Sequence, residues 1–180
     1  MWRFLGVCPL NVSPFQQAVH LIYDNKRMSE LSHVAPDGSV RMVDVSGKTS
    51  TFRQAKVAGL LKITETHRDA IHKLPKGDAL TIAQIAGIQG GKKCSDLIPL
   101  CHQIPLSHLD VAIWLTDDGI AIEATARTDA ATGVEMEAYA AVVTAGITLI
   151  DMLKGVSPDL ILTDVMLMEK TGGKADWLRE

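Results

Sequence analysis

The sequence predicts an α+β sandwich of β-α-β-β-α-β order, the ferredoxin-like arrangement with an antiparallel sheet and helices on one face. Three observations predict it. Residues 106–126 alternate apolar and polar about the tight Asp117-Asp118-Gly119 turn, which marks a β-hairpin. Two stretches of helical periodicity flank that hairpin, near 78–89 and 134–154. Single strand-like runs then lie at either end, 51–63 and 160–168.

The bulk properties fit one compact domain. The chain has 180 residues, 47% hydrophobic and 22% charged. A chain of that size buries roughly 70% of its unfolded surface. Only 4% of residues are aromatic, so the core must come from Ala, Val, Leu, Ile and Met, and a base-stacking platform for single-stranded nucleic acid is disfavoured. Eighteen basic against 21 acidic residues leave a net charge of -3, without the basic excess of a nucleic-acid binder. Three cysteines at irregular positions fit a reducing, cytoplasmic setting better than a disulfide framework. No uninterrupted apolar run reaches the 18 or so residues of a membrane span. Neither nucleic acid nor membrane is therefore expected as a partner.

Residues 1–30 differ from the rest. Trp2, Phe4, Phe15 and Tyr23 are half of the chain's aromatic residues, and no acid precedes Asp24. Without transit-peptide richness in Ser and Arg, this segment is expected to be a disordered or loosely docked extension upstream of a natural start at Met28. Residues 31–174 form the expected single α+β domain, and 175–180 a tail.

The elements follow in order. Pro36-Asp37-Gly38 is a turn, and Val40 to Val45 a short extended segment. Thr51 to Ile63 is the first long strand. Thr64 can cap a helix over Glu65 to Lys73, which Pro75-Lys76-Gly77 ends. Asp78 starts a second helix, with Gly90-Gly91 as its expected stop. Leu109, Val111, Ile113 and Leu115 form the inward face of one hairpin strand; Ile120, Ile122, Ala124 and Ala126 form that of the other. Val134 to Lys154 is a long helix ended by Gly155 and Pro158. Leu160 to Met168 is the last strand, and Lys170 to Lys174 a Gly-rich tail.

The long helix holds the clearest chemical signals. Residues 138–150 are apolar nearly all round, which implies burial and a surplus face that a second subunit can cover. A polar stripe of Glu137, Thr144, Thr148 and Asp151 runs down it. Lys154 lies three residues after Asp151 and can ion-pair with it, either as a solvated pair or as working groups. The threonines have a plain alternative, bonding back to the helix. Thr132-Gly133-Val134-Glu135 fits a capping box, with Glu135 the capping partner. Ser95 to Pro105 is expected to be extended and rigid. Cys101 and His102 are neighbours there and point apart, so they do not form a nucleophile pair. Cys94, Cys101 and His102 lack the paired spacing of a structural zinc site. His102 suits proton transfer near neutral pH. Lysines beside glycines (Lys76, Lys92 and Lys93, Lys170 and Lys174) can supply local positive potential to a small polyanion, although none forms a P-loop.

Met42-Val43-Asp44-Val45-Ser46, Lys76-Gly77-Asp78, Ile85-Ala86-Gly87-Ile88-Gln89, Asp96-Leu97-Ile98-Pro99-Leu100-Cys101-His102, Thr132-Gly133-Val134-Glu135-Met136-Glu137-Ala138, Asp151-Met152 with Lys154, and Lys170-Thr171-Gly172-Gly173-Lys174 occur in order. Across Leu31 to Lys174 the chain resembles the cyclic pyranopterin monophosphate synthase family, the molybdenum cofactor biosynthesis protein C family. Gln103 departs from the family's usual Pro after the His.

The resemblance implies a phosphorus–oxygen lyase. It would convert 3',8-cyclo-7,8-dihydroguanosine 5'-triphosphate to cyclic pyranopterin monophosphate with release of pyrophosphate, using neither metal nor other cofactor. It further implies a homohexamer, a trimer of dimers, with the site between subunits. Asp151 then resembles the catalytic acid/base and Lys154 its partner. Leu100, Cys101, His102, Met136 and Glu137 resemble substrate contacts, and Arg53, Lys76, Lys92, Lys170 and Lys174 line the same pocket. The competing expectations are a non-catalytic nucleotide-sensing module of the same fold and a zinc-dependent hydrolase of the GTP ring.

Overall fold

The structure is a computed structural model that describes residues 39–173 and 175–180. The chain divides into a unit ending at Val43 and a unit Asp44–Glu180. Only residues 39–43 of the first are described, so the expectations for residues 1–30 and for the Pro36 turn lie outside the described residues, as does Lys174. Everything below concerns the second unit.

Its elements are β1 (Thr51–Lys62), α1 (Glu65–Ala70) running into a 3-10 turn (Ile71–Lys73), α2 (Ala79–Lys92), α3 (Cys94–Leu97), β2 (His108–Thr116), β3 (Gly119–Ala130), α4 (Glu135–Leu153), β4 (Ile161–Thr171) and β5 (Trp177–Leu178). The sheet order is β2-β3-β1-β4-β5, with every pair antiparallel. Apart from the added edge strand β5, this is the predicted ferredoxin-like βαββαβ sandwich. Period-2 alternation builds it. Ala55, Val57 and Leu61 of β1 and Ile120, Ile122, Ala124 and Ala126 of β3 are buried on one face. Small inward residues let α4 lie close against that face, where Ala138, Ala141, Val142, Ala145, Leu149 and Leu153 complete the core. Polar pairs hold the opposite face. Lys56 meets Glu123 at 3.1 Å, and Gln54 accepts from Arg127 at 2.7 Å while donating to Glu169 at 2.8 Å.

Several boundaries move for identifiable reasons. Gly90 and Gly91 do not stop α2, which continues to Lys92. They are there for close approach: a Cβ on Gly90 would land on Thr144, and one on Gly91 would lie 2.9 Å from the Glu137 carbonyl oxygen. The polar stripe of α4 thus faces α2 at its middle. Residues 44–45, the end of the expected extended segment, carry no regular element, and Asp44 accepts from the Ser46 amide at 2.9 Å in a local turn. Ser95 to Leu97 belong to a helical turn, and the chain extends only from Cys101. Thr132 does not cap the long helix. That helix begins at Glu135, too early in its own sequence for Glu135 to be a capping partner. β4 runs to Thr171, past the expected end.

Other expectations hold. Thr64 caps α1, in a box whose third residue is the fully buried His67. His67 Nε2 also lies 3.0 Å from the Ser157 carbonyl oxygen, tying α1 to the segment after α4. β2 and β3 meet at the two-residue hairpin after Thr116. Thr148 bonds back to the Thr144 carbonyl at 2.8 Å, the plain alternative for that residue.

α4 spans 19 residues, within the expected Val134 to Lys154. By length and composition alone it could cross a membrane. Its place against β1, β3 and α2 is that of a core helix.

Candidate functional site

The candidate residues separate along α4. At its C-terminal end, Asp151 lies between two lysines. Lys154 Nζ is 2.7 Å from Asp151 Oδ1, and Lys76 Nζ is 3.5 Å from Oδ2. The i,i+3 spacing delivers Lys154 on the same helix face. Lys76 arrives from the turn before α2, and it also donates to the Asp151 carbonyl at 3.2 Å. A carboxylate at a helix C-terminus is opposed by the helix dipole, so the lysines offset an unfavourable position. Lys154, then Lys76, hold the Asp151 carboxyl below the usual carboxylate range. The group remains 57% exposed.

The N-terminal end is built differently. Glu137 is only 5% exposed, and burial pushes its carboxyl above the ordinary value. The Cys94 thiol lies close enough to the Glu137 carboxyl and the Cys101 thiol to interact with both. Burial and the nearby carboxylate push both thiols up. The segment after α3 carries Leu100 in a turn and then Cys101 and His102, all half-buried. Met136 is exposed beside Glu137. Lys92, at the end of α2, is exposed.

Next to this end lies a cavity of about 870 Å³ whose lining includes Lys48, Arg53, Glu135, Lys170, Asp176 and Trp177. Glu135 pairs with Lys170 at 3.3 Å, which explains it without a capping role. The Arg53 Nε donates to the Ala130 carbonyl at 3.0 Å. Lys48 and Trp177 were not singled out from sequence. Lys48 precedes β1 without a distinctive pattern, and Trp177 reaches the cavity only through a fold-back after β4.

Glu135 and Asp151 are 16 residues apart on one helix, about 24 Å at 1.5 Å per residue. The structure therefore gathers Glu137 with Cys101, Arg53 with Lys170, and Lys76 with Asp151 and Lys154, but it does not bring the two ends together in one chain. Among the described residues no group of three or more His, Cys, Asp or Glu side chains is placed to hold a metal ion.

Fold and site together define a small α+β protein with cations gathered at two places and one carboxyl buried. Comparison narrows this class. The chain belongs to the MoaC family, which it matches over residues 42–173. It is 47% identical over 156 residues to the cyclic pyranopterin monophosphate synthase of Corynebacterium glutamicum, covering 83% of this chain and 98% of that protein. The synthase of the same name from Streptomyces coelicolor is 45% identical over 152 residues, covering 83% and 89%. The molybdenum cofactor biosynthesis protein 1 of Drosophila melanogaster is 46% identical over 159 residues, covering 86% of this chain and 28% of that longer protein.

Proposed function

We propose that this protein converts 3',8-cyclo-7,8-dihydroguanosine 5'-triphosphate to cyclic pyranopterin monophosphate, releasing pyrophosphate, in molybdenum cofactor synthesis. The observation that carries this reading is the Asp151 carboxylate set between Lys76 and Lys154 in a member of the MoaC family.

The reaction opens a purine ring, closes a pterin ring and forms a cyclic phosphate, so protons must be taken and returned. Asp151, kept ionised by its lysines, suits the role of proton acceptor, with Lys154 as its partner. Glu137, its carboxyl raised by burial, suits a donor or a neutral hydrogen-bonding contact. A nucleotide hydroxyl oxygen attacks the α-phosphorus as the bond to pyrophosphate breaks. Negative charge then builds on the leaving group, and lysines stabilise it there. Arg53, Lys76, Lys92, Lys170 and Lys174 are the cations assigned to the phosphates. Leu100, Cys101, His102 and Met136 are the remaining substrate contacts.

The same reading makes the working form an oligomer, a hexamer built as a trimer of dimers and residing in the cytoplasm. Two observations support a shared site. The two ends of α4 are too far apart to hold one nucleotide within a chain. The outer face of α4 also leaves Val143 and Ile147 exposed, Ile147 by 58%, and Ile85 on α2 is exposed as well, which suits cover by a second copy.

Pyrophosphate release from the cyclic nucleotide tests the proposal. The wild-type protein should release it, and Asp151→Ala should lose nearly all activity. No release by the wild type would overturn the activity, and full activity in Asp151→Ala would overturn the assigned role. Tight binding without turnover would favour a nucleotide-sensing module.

A further inference from the structure

Resting on the proposed function, we propose that Trp177 is the stacking wall of the substrate site, the residue that holds the fused-ring heterocycle against the cations of the cavity beside α4. The family match ends at residue 173, so Trp177 lies beyond it.

After β4 the chain reverses at Gly172 and Gly173, both at positive φ (85° and 83°). The Gly172 amide donates to the Asp176 carboxylate at 2.8 Å, closing the turn. β5 then pairs antiparallel with β4, with Lys170 opposite Trp177 and Glu169 opposite Leu178. Residues directly opposite in such a pair project to the same face about 5 Å apart, so the indole stands beside the Lys170 side chain. Arg179 fastens the strand. Its amide donates to the Met168 carbonyl at 2.8 Å, its Nε donates to the Leu167 carbonyl at 2.7 Å, and its guanidinium lies 5.3 Å from the centroid of the Trp177 ring.

A two-residue edge strand is thus held by four kinds of contact, and its aromatic residue is still 40% exposed. That exposed surface lines the cavity of about 870 Å³ together with Arg53, Lys48 and Lys170. A large indole, with Arg179 over its ring and part of its surface open to the cavity beside three cations, matches a ligand with a flat ring at one end and phosphates at the other. The two acids of the lining are already engaged, Glu135 by Lys170 and Asp176 by the Gly172 amide, so they oppose an anion less than free carboxylates would. The ligand class is a purine or pterin nucleotide, the ring on Trp177 and the phosphates on the cations.

Fluorescence and kinetics test this together. With Trp2→Phe and Trp114→Phe in place, Trp177 is the sole tryptophan. Guanosine 5'-triphosphate should change its emission saturably, and inorganic pyrophosphate should not. An equal response to both, or none to the nucleotide, overturns the stacking role. In the otherwise native protein, Trp177→Leu should raise KM for the cyclic nucleotide roughly tenfold, the scale of one base–aromatic stack, with kcat within about twofold. Trp177→Phe should keep KM within about threefold of wild type, since a ring remains. Unchanged KM in Trp177→Leu, or a Trp177→Phe defect as large as that of Trp177→Leu, overturns the proposal. Should Trp177→Leu fail to fold, Trp177→Phe and the fluorescence titration still decide. If the wild type releases no pyrophosphate, the activity fails, while the fluorescence titration judges Trp177 independently.

Discussion

The two ends of α4 carry the same functional group in opposite states. Glu137 is buried, and loss of water pushes its carboxyl up; Asp151 is exposed, and two lysines hold its carboxyl down. One helix thus presents a carboxyl that keeps its proton more readily and another that gives it up more readily, 14 residues and about 21 Å apart along its axis. Environment rather than residue type sets the difference. In the proposed oligomer, a small ligand meets both states where two chains meet.

The largest effect should come from breaking that partition. Asp151→Ala and Lys170→Ala are each expected to lose at least about a hundredfold in pyrophosphate release, within the range for general acid–base and charge-stabilising groups. Mixing the two inactive proteins after partial unfolding and refolding should restore measurable activity, because some interfaces then pair one intact end from each chain. No restoration would place both ends in a single chain's site.

The middle of the helix comes next. Gly90→Ala should lower stability by about 1–3 kcal/mol, because the new methyl meets Thr144 where α2 and α4 touch. Thermal unfolding measures this, and an unchanged Tm would mean that the helices separate without cost.

A smaller effect, opposite in sign at the two ends, should appear in stability against pH. Glu137 binds its proton more tightly folded than unfolded. Its contribution is therefore complete below the ordinary 4.5 and is lost as pH rises through the raised folded value. Glu137→Gln should flatten that decline and leave the protein more stable than wild type at neutral pH. Asp151 behaves in reverse. Its contribution is present above the ordinary 3.8 and fades as pH falls through the lowered folded value. The smallest effect is that of Asp151→Asn on stability at neutral pH. It should be slight and vanish in high salt, because the pair is solvated. A denaturant series across pH and ionic strength reads both, and parallel slopes for the two variants would erase the contrast.

Much of this was legible from local pattern. The hairpin at Asp117-Asp118-Gly119, the two inward rows of the strands and the Asp151–Lys154 pair all depend on residues near one another in sequence, where periodicity carries the geometry. The surplus apolar face of the long helix was also visible, as Val143 and Ile147 now show. What local pattern misplaced were residues whose roles depend on distant partners. Gly90 and Gly91 look like a helix stop until α4 is laid against them. Glu135 fits a capping box until Lys170 arrives from β4. Trp177 looks like part of a tail until β5 pairs.

By itself the sequence determined the order of elements, the face each strand buries and the charge of each candidate group, because short-range sterics and side-chain alternation decide those. Only the tertiary structure decided which groups share a neighbourhood. Burial raised Glu137, Lys76 came to Asp151 across 75 residues, and the fold-back after Gly172 turned a terminal tryptophan into a cavity wall. Desolvation and long-range pairing exist only once chain segments far apart in sequence are packed together.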